Sequence, residues 1–579
     1  MHSHLWDGSL LSLTSSTSEQ DHGDPWSGSE PIDVELIDGS PWETQHSVPS
    51  GEDYEEPELE TLGGWRILIP ISQSCKDNTA NIRLIRPGHV ASLANKVDSF
   101  ILGTYPTSLE TNVVQQAISY RLSVMTPRVL PATNSLNPYL QYWLPLSMSD
   151  KAVFSALLSA SLSHQIINRL LDGGVSPSIR DNEAQLQLSF KETVSAINDS
   201  LRDLNRATSD ATILAVLMAV EKPDVEIDRP WSRESPFHAP LQGLQWLKVH
   251  SAREPNVAHQ DGLCRIIELR GGLFNIQMPG VAAAAFYRVL VNSTLLLTKP
   301  ALPFYPLSGA SIQSLTTYTI EGPAAEARMN ILDEAGLNSD ITCSLYELAA
   351  YTASIKSYVR GDTLRLDAQV MCDRRNLAQY NLMCIAPQTG MQQESALSEI
   401  TRIAAVIYSV GVTFPLAGVG APFSKLAKLL KLEIADSKIL EMASFRESTR
   451  CLLLWALVMG GITAEESDKA WYITVLAYLI SQYQLTDWKQ LKRTLKMVLW
   501  LDSACDMAGK ELYAQICSQL QRMAVRSEAG RLSPCAHCKT VKKGGGTSIQ
   551  LGGSLVSYAG EGESGVTKAV PVNGVWIVA

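Results

Sequence analysis

Apolar side chains recur every three or four residues through most of the middle of the chain, a period that belongs to helices rather than strands. Phe190, Val194, Ile197, Leu201 and Leu204 make one continuous stripe of this kind. Upstream, Asp150 stands where a carboxylate caps a helix carrying Val153, Leu157, Leu158 and Leu162. Ser209 or Asp210 precedes Ala211 to Val220, a run apolar on nearly every side, as a fully buried helix requires. Leu263, Ile266, Ile267 and Leu269 define a helix over Asp261 to Arg270, closed by Gly271 and Gly272, which can adopt the left-handed cap. The same reading predicts helices around 281–298, 340–358, 397–410, 424–446, 449–464, 467–482 and 487–523. Strand-like alternation is sparse and no repeat of fixed period is present. The expectation is an all-α fold: a large multi-helix regulatory domain with disordered N- and C-terminal tails.

The pattern fails at both ends. Residues 1–65 mix acids, Ser, Gly and Pro with isolated large apolar groups, Trp6, Trp26, Trp42, Tyr54 and Trp65. Residues 66–136 form a partly helical lead-in, with helical spacing at Leu93, Val97 and Ile101 and an Ile67–Pro70 run too short to assign. The helical domain is placed at 137–526. Residues 527–579, broken by Gly544–Gly546, Gly552–Gly553 and Gly560–Gly565, read as a flexible Gly-rich tail.

Charge sharpens this division. The 579 residues carry a formal net charge of −11, with 59 acids and 48 bases. Fifteen of those acids lie in residues 1–65, which contain no Lys or Arg, leaving 44 acids against 48 bases in the rest. Self-repulsion without a continuous apolar face keeps such a segment from folding alone. Acids interleaved with exposed aromatics are the composition of activation segments, although a plain solubilising tail has the same look.

Ten scattered cysteines, several inside apolar runs, fit reduced thiols in a reducing compartment. The N-terminus has no basic region followed by an apolar core, so no signal peptide is expected and the sequons at Asn198 and Asn292 carry little weight. No membrane association is expected. The uncharged run from Cys451 to Ala464 has 14 residues, short of the roughly 20 a span needs. Val281 to Thr298 is interrupted by Arg288 and Asn292. Both read as buried core helices.

Candidate chemistry is thin. Gly418-Val-Gly420 lacks the third glycine of a dinucleotide fingerprint and reads as a loop. His238 and His250 are ordinary polar or packing residues on spacing alone. Cys535 and Cys538 could give two thiolates to a zinc, but no cysteine follows them, and a flexible or redox-sensitive pair is the stronger reading. Lys489, Lys492, Arg493 and Lys496 make a basic stripe on one helix, most simply a solvated face. No catalytic, cofactor-binding or metal residue is nominated, and no cofactor is expected.

Five segments together suggest a family. Asn137–Leu146 (NPYLQYWLPL), followed by a helix from Asp150, resembles the start of the helical regulatory domain of fungal zinc-cluster transcription factors. Pro240–Leu247 (PLQGLQWL) with Ile266–Leu273 (IIELRGGL) is similar to that domain's helix and Arg-Gly-Gly turn. Leu454–Gly460 (LWALVMG) and Leu499–Asp506 (LWLDSACD) resemble its later helices. The resemblance runs over about 137–526. It implies an all-helical domain, a nuclear location and control of transcription, often of metabolic or secondary-metabolite genes. Members that bind DNA directly carry six cysteines beside basic residues near the N-terminus. Here no cysteine precedes Cys75 and no Lys or Arg precedes Arg66. The expected protein is therefore a non-enzymatic regulator, free to homo- or heterodimerise. It would act through the transcription machinery or a DNA-binding partner protein. The alternative is a helical enzyme or ligand-binding accessory protein of a metabolic pathway.

Overall fold

The computed structural model describes residues 66–68, 105–129, 137–173, 178–219, 231, 233–319, 323–362, 366–387, 393–441, 446–532, 569–572 and 575–578. All belong to the unit that begins at Trp65. The acidic segment 1–65, nearly all of the helix expected over 91–105, and the Cys535–Cys538 pair lie outside the described residues.

The body is all-α. Helix α1 (Thr111–Tyr120) runs into a π-helical turn, Arg121–Met125, and then α2 (Thr126–Val129). A second π-helical turn, Tyr139–Trp143, precedes α3 (Leu144–Ser147), and the long helices α4 (Lys151–Leu171) and α5 (Ser178–Arg202) pack side by side. Asp150 caps α4 as its position predicts, accepting from the Ala152 and Val153 amides at 2.9 and 3.1 Å. Helix α6 (Asp210–Ala219) is buried from Thr212 onward, with the Ser209 hydroxyl accepting from the Thr212 amide at its start. A short 3₁₀ turn, Leu244–Trp246, leads to α7 (Leu247–Ser251), α8 (Val257–Leu269) and α9 (Val281–Leu296). Gly271 and Gly272 close α8 with positive φ of 94° and 97°, although Gly272, at ψ 172°, lies outside the left-handed helical region expected of a cap.

The later helices are α10 (Ile312–Thr316), α11 (Pro323–Glu334), α12 (Ser339–Arg360), α13 (Ala368–Cys384) and α14 (Gln393–Tyr408), the last continuing into a π-helical turn, Ser409–Thr413. They are followed by α15 (Phe423–Asp436), α16 (Glu447–Thr463), α17 (Glu466–Gln482), α18 (Trp488–Val498) and α19 (Asp502–Leu532). Helix α16 is the axis of this half: every residue from Cys451 to Thr463 is buried. Gly460 lets α17 approach, since a Cβ there would sit 2.5 Å from the Tyr472 ring.

Some elements depart from the sequence expectation. The helix expected over 487–523 is two, α18 and α19, because Leu499 turns extended and gives its carbonyl to the Trp455 indole at 2.8 Å. Helix α13 escapes the periodicity because its buried face carries Asp373, Arg375, Asn376 and Gln379 among apolar residues. Helix α19 runs to Leu532, beyond residue 527 where the tail was expected to begin. At 569–578 a β-pair stands where a tail was expected. Ala569–Val572 and Val575–Val578, rich in strand formers, pair antiparallel. A second antiparallel pair joins Arg66–Leu68 to Thr317–Thr319.

Among the described residues one helical stretch, Ser395–Thr413, is long and apolar enough to cross a membrane, but 89% of its apolar window is buried inside the fold, as a core helix is. The buried thiols of Cys372 and Cys505 are both pushed up to about 12 by burial, so they remain protonated and act as small hydrophobes.

Candidate functional site

The features singled out in the sequence dissolve into structure. Lys492 pairs with Asp506 at 2.6 Å and Asp502 at 3.2 Å, and Lys496 with Asp502 at 2.8 Å, so half of the basic stripe is neutralised by the start of α19. Gly418 and Gly420 lie in the turn before α15 and permit backbone contact: a Cβ would fall 2.4 Å from the Arg233 carbonyl oxygen and 2.0 Å from that of Ser251. Asn292 of the second sequon is fully buried in α9. Among the described residues no three His, Cys, Asp or Glu side chains converge as a metal site.

What the fold does bring together is basic. Arg121 opens the first π-helical turn, His164 comes from α4, His250 from α7, Arg253 from the turn after it, and Arg288 from the middle of α9. His164 Nδ1 lies 2.9 Å from the Tyr120 hydroxyl, and its ring meets the Trp246 indole edge-on at 4.6 Å and the His250 ring at 6.2 Å. Arg288 donates to His250 Nδ1 at 3.2 Å, which requires that nitrogen to be unprotonated. Burial first, then neighbouring His250, Arg253 and Arg121, holds His164 well below the ordinary histidine range. His250 is lowered likewise by burial, then by Arg288 and Arg121. Both rings are therefore neutral near pH 7, and burial also lowers the guanidiniums of Arg253 and Arg288 from their ordinary value, Arg288 to about 10.

Backbone strain accompanies the cluster. Gln245 and Trp246 are consecutive non-glycine residues at φ 53° and 54°. They are pinned from several sides: the Trp246 indole donates to the Met125 carbonyl at 3.0 Å, and Arg375 donates to the Leu244 carbonyl at 2.9 Å and to the Gln245 side chain. Arg128 stacks over the Trp246 ring at 4.7 Å.

At one edge of the centre lies a small enclosed space lined by Arg121, Thr126, Val129, Tyr139 and Trp143. Arg121 is only 5% exposed. Its guanidinium lies 4.8 Å above the Tyr139 ring and points its terminal nitrogens at the sulfurs of Met125 and Met218, both at 3.8 Å. A desolvated cation–π contact contributes about 2 kcal/mol, whereas burying an unpaired charge costs several. Arg121 Nε, the Thr126 hydroxyl and the Tyr139 hydroxyl are all buried without a hydrogen-bond partner. The Tyr139 phenol is pushed up to about 12 by burial, so it is a proton donor throughout the neutral range. Chemically, this edge sets a guanidinium beside two hydroxyls, each able to donate and to accept.

Sequence reasoning passed over these residues because they come from five elements far apart in the chain. A signal existed in Arg288, which interrupts the otherwise apolar Val281–Thr298 run. A charge inside a helix that must be buried marks a place where other polar groups gather.

Comparison with known proteins bears on the same region. Residues 118–221 match the family model for the fungal specific transcription factor domain, a shorter span than the 137–526 over which the resemblance was read. No curated protein matches the chain. No solved structure matches it either. A match of this description suggests a transcription regulator. Tyr120, Arg121, Thr126, Tyr139, Trp143 and His164 fall inside the matched span, while His250, Arg253 and Arg288 fall beyond it. Residues 118–221 are thus similar to the fungal specific transcription factor domain, and Arg121 and His164 of the buried basic centre lie within that span.

Proposed function

We propose that the chain is a nuclear regulator of metabolic or secondary-metabolite genes that acts through protein partners. The observation that carries this reading is the family match over α1 to α6, set in an all-helical body. Partner-dependent action is supported by charge: residues 1–65 hold 15 acids and no Lys or Arg, which repels a phosphate backbone. The basic stripe of α18 gives little compensation, since Lys492 and Lys496 are bound to Asp502 and Asp506.

The test is a reporter assay. Residues 1–65, fused to a foreign DNA-binding domain, should activate transcription, and the tagged full chain should concentrate in the nucleus. Absence of activation together with a cytosolic signal would overturn the reading. Binding of the purified chain to DNA that is sequence-dependent and falls steeply with salt would overturn the partner-dependent part alone.

A second reading, a ligand-binding accessory protein, is favoured by the convergence of ionisable groups around His164 and Arg121. It predicts binding of a small molecule without any reporter activity.

A further inference from the structure

A cleft runs along the outer side of α8, away from the basic centre. Asp261, Cys264, Arg265 and Glu268, spaced to share one face of the helix, form one wall. The glycine turn after the helix brings in Leu273 and Phe274, and the segment Ala301–Pro303 beyond α9 makes the opposite side. The space between them is about 470 Å³, open to solvent on one side and of the size that takes a small organic molecule. Ile267, Leu273 and Leu302 are buried and give it an apolar floor. Phe274 stands at the mouth, 55% exposed, its ring centroid 5.5 Å from that of Tyr305. An exposed phenyl beside an apolar hollow with a charged rim is the surface pattern of a binding site.

The rim also has a sign. Arg265 is committed to Glu268, whose carboxylate it meets at 2.6 Å, and Asp261 leaves the lining with one net negative charge. The Cys264 thiol is pushed up to about 11 by burial and then by Asp261, so near neutral pH it serves as an apolar wall and not as a nucleophile.

We infer that this cleft binds a small organic ammonium ion carrying one aromatic ring, the ring resting on Ile267, Leu273 and Leu302 and the cation held by Asp261 and the Phe274 ring. A carboxylate attracts the charge directly, and a phenyl ring attracts it through its quadrupole. An organic anion of the same shape meets both groups unfavourably. The mouth is open, so entry needs no rearrangement. Binding here is non-covalent and stands apart from the regulatory reading of the chain.

The test uses the purified full chain, reduced and then freed of reductant. Tryptamine is the cation, N-acetyltryptamine its neutral counterpart and indole-3-acetate the anion, all with the same ring. The readout is the rate of Cys264 alkylation by iodoacetamide at about pH 8.5, resolved by peptide mass spectrometry. Cys343 and Cys517, partly exposed like Cys264 but outside the cleft, are the controls. Tryptamine should slow Cys264 saturably and leave the controls unchanged. N-acetyltryptamine should bind more weakly, and indole-3-acetate at least about fivefold more weakly than tryptamine. Asp261→Asn, at an exposed position, should remove most of that gap. Ala301→Trp, which fills the cleft from its exposed wall, should abolish protection by all three. Should Ala301→Trp fail to fold, Asp261→Asn decides. The inference is overturned by no saturable protection from tryptamine, by equal protection of the control cysteines, or by indole-3-acetate binding as tightly as tryptamine. It is overturned equally by a folded Ala301→Trp, or an Asp261→Asn, that behaves like the parent chain.

Discussion

Two regions of this molecule bury their side chains under opposite rules. Around α16, Trp455 is fully buried, its indole donates to the Leu499 carbonyl, and its neighbours Cys451 to Leu454 and Ala456 to Met459 are apolar or nearly so. Around Arg121 the protein buries guanidiniums, imidazoles and hydroxyls, and leaves several of those groups without acceptors. The first region is where a helical fold gets its stability. The second opposes stability, and a group retained at such a cost points to a use other than holding the fold.

That contrast can be broken most forcibly at Trp455. Trp455→Ala should cost about 3–5 kcal/mol, since it opens a cavity and strands the Leu499 carbonyl. Chemical denaturation checks it, and a loss below about 1 kcal/mol would deny α16 its central place. Arg121→Met makes the opposite prediction. Replacing this buried cation by an apolar group of similar length should stabilise the chain by about 1–3 kcal/mol. A clear destabilisation would place Arg121 on the same side of the comparison as Trp455.

A smaller effect concerns pH. Burial raises the Glu347 carboxyl to about 8 despite its bond from Asn381. The native state therefore holds a proton that the unfolded state releases above about 4.5, and stability falls as pH rises from there toward 8. Glu347→Gln should flatten that decline, with a gain on the order of 1 kcal/mol at pH 8, visible in denaturation curves across pH. His164 works with the reverse sign. Its folded pKa is depressed, so its contribution is intact above about 6.5 and is lost as pH falls below that. The smallest effect belongs to the surface: Lys496→Ala, which breaks an exposed pair with Asp502, should change stability by less than about 1 kcal/mol.

The comparison also accounts for what the amino-acid order reveals. The apolar half was legible because its side chains repeat at helical spacing: the cap at Asp150, the glycine stop after α8 and the buried runs of α6, α9 and α16 all stand where periodicity puts them. Periodicity misses α13, whose buried Arg375, Asn376 and Gln379 read as surface in a linear scan. The basic centre was almost illegible. Its members sit at 121, 139, 164, 250, 253 and 288, so no local spacing joins them, and His250 alone looks like any polar residue. Only the Arg288 interruption within an apolar run hinted that something polar must meet it. The acidic asymmetry of residues 1–65 was visible from counting alone, but its role rests on the reporter experiment.

The π-helical turns carry one further consequence. A turn of this kind holds one residue more than α-helical pitch requires, so everything beyond it is rotated relative to what an unbroken helix would present. Arg121–Met125 and Tyr139–Trp143 each contain such a surplus residue. Deleting one residue from either would restore ordinary pitch and swing the following side chains by about a quarter of a turn. Arg121 and Tyr139 would then face different neighbours even though both were still present. Relatives of this chain should therefore be compared for the spacing across these two turns before they are compared for residue identity.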